Sequence, residues 1–253
     1  MKPALKFLFA LAVGAATVWS FLVPDAELQF QLPQLARILF YHLPCAIITS
    51  IYLFIGPYMA IRSLIAKTPE WDVRSAASNE IGFLFGLLTM STGMLFSKVQ
   101  WGAWWQWDPR QTSFLLVLLL YSGYFVLRAA FSDETKRAAN SAAYGVVMAL
   151  PSLFLIFVFP RLPQVANDSF HPTTTIQNGL LKGDYLYVTL TMLVLFTVIS
   201  AWLYKLRVQA GMAELALENL NGNLETRGGR PAPTGVVRPV PVPEQDREEV
   251  KER

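Results

Sequence analysis

The chain alternates between long apolar stretches and short polar links. Six apolar runs stand out: Phe7–Val23, Cys45–Ile61, Ile81–Leu95, Thr112–Leu127, Ala139–Phe159 and Tyr185–Leu203. Each holds about 15–21 residues, which at ~1.5 Å rise per residue reaches about 22–31 Å, close to a ~30 Å hydrocarbon core. Lipid offers no partner to a bare backbone, so every run is expected to be helical. The predicted class is all-α, a polytopic membrane protein with six transmembrane helices. The third run is the shortest and is expected to draw on its flanks. Pro57 and Pro151 fall inside runs and are expected to kink spans 2 and 5. Lys2 and Lys6 precede the first run, and Ala10-Leu11-Ala12 loosely resembles a signal cleavage site. That pattern lies within the apolar stretch, so the run is expected to stay as a span.

Composition supports this pattern. Of 253 residues, 53% are hydrophobic and only 15% charged, against about 25% charge in a soluble domain. Mean hydropathy is +0.37. The net charge of +3 matters through its distribution. Lys2, Lys6, Arg62, Lys67, Arg74, Arg128, Lys136, Arg137, Lys205 and Arg207 fall on one side of the six spans. Arg37, Lys98, Arg110, Arg161 and Lys182 fall on the other. Positive residues favour the cytoplasmic side, so both termini are expected inside. His42, the Trp-rich stretch after span 3 and His171 then share the outer side.

From Gly222 the chain turns polar and rich in proline, as expected of a disordered cytoplasmic tail. The expected division is a membrane domain over 1–207, and over 208–253 a short helix followed by that tail. The tail's basic residues are matched by acidic ones, so nucleic-acid binding has no support. No P-loop, GxGxxG or nucleophile elbow occurs. One cysteine, Cys45, excludes an internal disulfide and any multi-cysteine metal site, and reads as a small buried residue. Glu80 reads as a capping or snorkelled residue at the start of span 3.

Residues 101–110 read Trp-Gly-Ala-Trp-Trp-Gln-Trp-Asp-Pro-Arg. An interfacial aromatic belt is the simplest reading, but belts scatter over span ends, whereas here four tryptophans crowd together. Indoles offer wide faces for a flat apolar ligand, and Gly102 allows close backbone approach. Asp108 and Arg110 can pair with each other or orient a ligand's carboxylates.

His42 lies in Arg37-Ile-Leu-Phe-Tyr-His42-Leu-Pro44 at the outer start of span 2, and His171 in the loop between spans 5 and 6. They are the only histidines. Two imidazoles beside an aromatic floor suit haem, with Arg37 or Arg110 for its propionates. A two-histidine zinc or copper site is the rival; it needs a further ligand, from Asp168, Asp25 or Glu27, and leaves the tryptophans without a role. A haem or small-molecule transporter and a ligand-free assembly subunit are the other open readings.

The segment Trp101-Gly-Ala-Trp-Trp-Gln-Trp-Asp-Pro-Arg-Gln-Thr112 resembles the WGxWWxWDxRLT signature of the haem-handling WWD superfamily of cytochrome c biogenesis proteins. The closer resemblance, over about residues 5–207, is to its six-span CcmC type. The stretch Arg37–Pro44 is similar to that family's histidine motif before span 2, and His171 matches its second histidine by position. Gln111 departs from the family's usual Leu. Trp107-Asp108-Pro109 is similar to the larger CcsA and CcmF branches, but six spans and two histidines exclude a complete member of those.

The resemblance implies haem b held at the periplasmic face of a bacterial inner membrane, with the WWD segment (about 96–111) against the porphyrin. It implies His42 and His171 as axial ligands of the iron. It further implies Trp101, Gly102, Trp104, Trp105, Trp107, Asp108 and Arg110 as haem platform and chaperone contact, with Arg37 at a propionate or in orientation. Implied partners are a CcmE-like haem chaperone, a CcmD-like small membrane protein and a CcmAB-like ABC transporter. The implied activity is presentation of haem, with no nucleophile or general base.

Overall fold

A computed structural model of the chain describes residues 3–24, 32–171 and 182–228, and all regular structure among them is helical. Helix α1 spans Pro3–Leu22, and a 3-10 turn over Pro33–Ile38 leads into α2, Leu39–Ala66. Then come α3 (Pro69–Trp101), α4 (Pro109–Ala129), α5 (Glu134–Leu153), the single turn α6 (Pro163–Ala166) and α7 (Gly183–Gly228). Six helices among the described residues are long and apolar enough to cross a membrane. The chain is a multi-pass membrane protein.

Every expected span is helical except for Val23 at the end of the first, and the fifth continues from α5 through two further helical stretches to Phe159. Helix α3 begins well before its run, because Ser75, Ser78 and Asn79 extend it while being buried against protein. Hydropathy cannot separate a polar residue facing a neighbouring helix from one facing water. Asn79 also meets glycines: a Cβ at Gly56 would sit 3.0 Å from its Oδ1. Small residues of this kind let transmembrane backbones approach closely.

Local signals set the helix ends. Asp108 and Asp133 cap α4 and α5, their carboxylates accepting the N–H groups of Arg110 and Lys136. Helix α3 stops at Gly102, whose φ of +84° is the left-handed conformation glycine adopts at a C-terminus. The link Lys67-Thr68 is so short that α2 and α3 must pack antiparallel. Pro44 and Pro57 both lie inside α2. Pro44 does so because α2 begins before the run Cys45–Ile61, placing His42 on its first turn. Pro151 precedes a π-helical stretch, Phe154–Val158, which ends in a 3-10 turn at Phe159–Arg161. A proline that breaks the hydrogen-bond ladder accounts for that widening.

Three apolar clusters hold the bundle. Phe40, Val188 and Met192 join α2 to α7, with Ala16 of α1 beside them. Cys45, Ile48 and Phe85 pack α2 on α3. Leu53, Tyr121 and Met148 pack α2, α4 and α5 together. Cys45 is a free, buried thiol, as its apolar setting led one to expect. Residues up to Met212 form one compact unit; Ala213–Arg253 form another, in which α7 runs on to Gly228, past Gly222. The proline-rich part of the tail from 229 lies outside the described residues, as do Lys2, Asp25 and Glu27.

The arginine-rich side carries the ion pairs. Arg128 of α4 grips both oxygens of Asp72 of α3, at 2.8 and 2.6 Å. Arg207 of α7 makes a matching fork to Glu80, at 2.5 and 3.1 Å. Glu80 is therefore an interhelical partner. The Arg128 and Asp72 side chains are largely shielded from solvent. Asp72→Ala should destabilise the protein by about 3 kcal/mol, because it strands a shielded guanidinium. The thermal midpoint in detergent measures this, and an unchanged midpoint would assign the pair no structural weight.

Candidate functional site

A cavity of 540 Å³ opens between α2, α3, the start of α4 and the π-helical end of α5. Its size falls within the ~300–1,000 Å³ typical of cofactor and ligand sites. The walls are chiefly apolar and aromatic, with Ile47, Phe54, Phe96, Trp101, Phe114 and Phe157 among them. His42, His171, Asp108, Arg110 and Arg161 line it too. Both histidines of the chain thus reach one apolar chamber from distant parts of the sequence.

His42 is held by α3. Its Nδ1 lies 3.0 Å from Thr92 Oγ1. That hydroxyl donates to the Leu88 carbonyl at 2.7 Å, which leaves its oxygen to accept from Nδ1–H. The tautomer so selected keeps the Nε2 lone pair available to a ligand. Gly93 makes the room, since a Cβ there would approach His42 Cε1 to 3.1 Å.

His171 sits on a loop instead. Its N–H donates to Ser169 Oγ at 3.2 Å, and Ser169 Oγ donates to Asp108 Oδ2 at 2.8 Å. The ring lines the cavity and is desolvated there. This desolvation, with the positive charge of Arg110, pushes its pKa down to about 3. His42 and Arg161 act in the same direction and Asp108 opposes them. The ring is neutral at physiological pH, the form in which imidazole binds a metal.

The tryptophans divide into two groups. Trp101 lines the cavity, edge-on to Phe96 at 5.3 Å and tilted against Phe170 at 5.8 Å. Gly102, Trp104, Trp105 and Trp107 do not line it. Trp104 is 51% exposed and Trp107 78% exposed, with Trp105 edge-on to Trp107 at 5.8 Å. Trp107 adopts a φ of +56°, a strained value for a bulky residue. The loop is braced from within: Ser97 Oγ donates to the Ala103 carbonyl at 2.8 Å, and Lys98 Nζ to the Gly102 carbonyl at 2.9 Å.

A family profile described as CcmC, heme exporter protein C, matches residues 1–220. The chain belongs to the CcmC family. Among its relatives, the heme exporter protein C of Haemophilus influenzae is 33% identical over 160 residues, 60% of this chain and 61% of that protein. The Bradyrhizobium diazoefficiens protein of the same name is 31% identical over 199 residues, 77% of this chain and 71% of that one. The Escherichia coli K12 protein is 32% identical over 161 residues, 61% and 62% of the respective chains. The match to the Haemophilus protein thus spans less than two thirds of its length.

In this CcmC-family chain Gln111 has a structural role of its own. Its Oε1 accepts from Gln106 N–H at 3.0 Å and its Nε2 donates to the Trp104 carbonyl at 3.3 Å. The side chain pins the tryptophan loop to α4, which Leu could not do. Arg37 lies apart from the cavity lining; its guanidinium donates to the carbonyls of Val23 and of Gln34, the latter at 2.8 Å. Among the described residues no group of three or more His, Cys, Asp or Glu side chains is arranged to hold a metal ion.

Sequence reasoning missed Thr92, Gly93 and Arg161. Arg161 donates to the carbonyls of Ile156 and Phe157, both at 3.0 Å, and so closes the π-helical wall. Nothing local marks Thr92 or Gly93, whose roles depend on α3 packing against α2.

Proposed function

We propose that this protein takes up haem b at the periplasmic face of a bacterial inner membrane and presents it to a CcmE-like chaperone for c-type cytochrome maturation. The carrying observation is that the chain's only two histidines reach one cavity with aromatic walls. Neutral imidazoles suit axial ligation of iron, and apolar walls suit the macrocycle. Arg110, on the cavity lining, has the fork geometry to hold a propionate. The exposed Trp104 and Trp107 would meet the chaperone, since tryptophan is enriched at binding hot spots. Haem bound here is cargo, which the acceptor removes by replacing one of its axial ligands. A CcmD-like subunit and a CcmAB-like transporter would complete the assembly. The excess of Lys and Arg on the opposite side of the spans supports a periplasmic site.

An absorption spectrum of the detergent-purified protein, oxidised and reduced, tests this reading. A Soret band and the pyridine haemochromogen of haem b are expected. A protein that stays colourless after haem is added would overturn it. Gly93→Val should lower bound haem about tenfold or more at unchanged helix content, because the added methyls displace His42; perturbing a ligand's support costs ~10–100-fold in metal affinity. Wild-type haem content in that variant would remove His42 from the site.

A further inference from the structure

Asp108 is 3% exposed, and the protein itself uses both of its oxygens. Oδ1 accepts from Arg110 N–H at 2.8 Å and so caps α4. Oδ2 accepts from Ser169 Oγ–H at 2.8 Å and from Phe170 N–H at 2.7 Å. The His171 N–H then donates to that same Ser169 hydroxyl. One carboxylate therefore ties the first turn of α4 to the three residues that end in His171. The Phe170 ring, tilted against Trp101, is a second tie on the same stretch.

We propose that Asp108 is a positioning residue for His171: it holds the ligand-bearing loop against α4 and acts on haem through that histidine. This rests on the haem reading above. The chemistry fits a carboxylate closely. Three donors converge on it, and only an ionised acid offers two oxygens with lone pairs for all of them. Bonds to a charged acceptor are about twice as strong as neutral ones. The N-terminus of α4 favours negative charge at this point. Asparagine caps a helix as well as aspartate does, but its single oxygen can serve the cap or the loop and not both. Asp108→Asn therefore separates loop positioning from folding.

The first test uses the full-length protein without haem. Losing a charge-assisted hydrogen bond should speed amide exchange at Phe170 in Asp108→Asn by about tenfold or more. The Thr112 amide, bonded to the Asp108 carbonyl in the turn of α4, should keep its protection. Ser169→Ala, which removes only one of the two loop bonds, should give a smaller rise. Unchanged exchange at Phe170 in both variants overturns the proposal.

The second test uses haem. Asp108→Asn should reproduce the loss of low-spin character expected of His171→Ala, and free imidazole should restore it in both. Adding Asp108→Asn to His171→Ala should change nothing further, whereas adding it to His42→Ala should lower haem content again. Further haem loss in the Asp108→Asn, His171→Ala pair would show Asp108 acting on haem directly and overturn the proposal. A colourless wild type whose Phe170 exchange still responds to Asp108→Asn counts against the haem reading and supports the loop tie.

Discussion

His42→Ala should lower the haem retained through purification by at least about tenfold, since even outer-shell changes cost ~10–100-fold in metal affinity. The two histidines should differ in what remains. His42 is gripped between two packed helices, with Thr92 fixing its tautomer. In the proposed haem site it would be the rigid ligand, and its loss would leave iron dependent on a loop. His171→Ala keeps that rigid anchor, so it should leave weakly held, five-coordinate, high-spin haem. The double variant should be colourless. Spectra of the oxidised and reduced proteins, normalised to protein, measure all three. A wild-type Soret band in His42→Ala would remove this residue from the iron. Thr92→Val should fall between wild type and His42→Ala, because it frees the ring without deleting it.

Trp104→Ala and Trp107→Ala should leave haem in place and cripple its transfer. Both rings are exposed and stand outside the cavity lining. Truncating a tryptophan hot spot costs about 2 kcal/mol, or roughly 30-fold in affinity for a docking partner. Mixing the haem-loaded protein with haem-free chaperone, and following haem into the chaperone, reads this directly. Trp101→Ala is the contrasting variant: its ring lies on the cavity wall between Phe96 and Phe170, so haem should leave before any chaperone is added. If Trp104→Ala instead loses haem as Trp101→Ala does, the exposed tryptophans belong to the pocket and not to the docking surface.

The tryptophan segment shows how far a motif can be read. Its composition pointed to a single aromatic platform, but packing splits it by role. Trp101 faces inward because Gly102 ends α3 in a left-handed turn and reverses the chain directly after it. Trp104 and Trp107 then lie on the outer surface. Asp108, grouped with the platform from its place in the motif, spends its carboxylate on α4 and on the His171 loop. Gln111, a departure from the family signature, proves to be a brace for the loop beside it.

Local physics made the rest legible in the sequence. A helix in lipid satisfies its own backbone, so the six spans follow from apolar length alone. Breakers act within a turn or two, so Pro151 announces its kink from the sequence. The scarcity of histidine narrowed the ligand candidates to two. Which side chains meet is another matter, because partners that build the site lie far apart along the chain. Thr92 is 50 residues from His42, and Phe170 is 62 residues from Asp108. Their meeting depends on the rotation of α3 against α2 and on where the loop before α7 lands on α4. Those choices are made by packing and hydrogen bonding summed over the whole bundle, and no stretch of sequence carries them by itself.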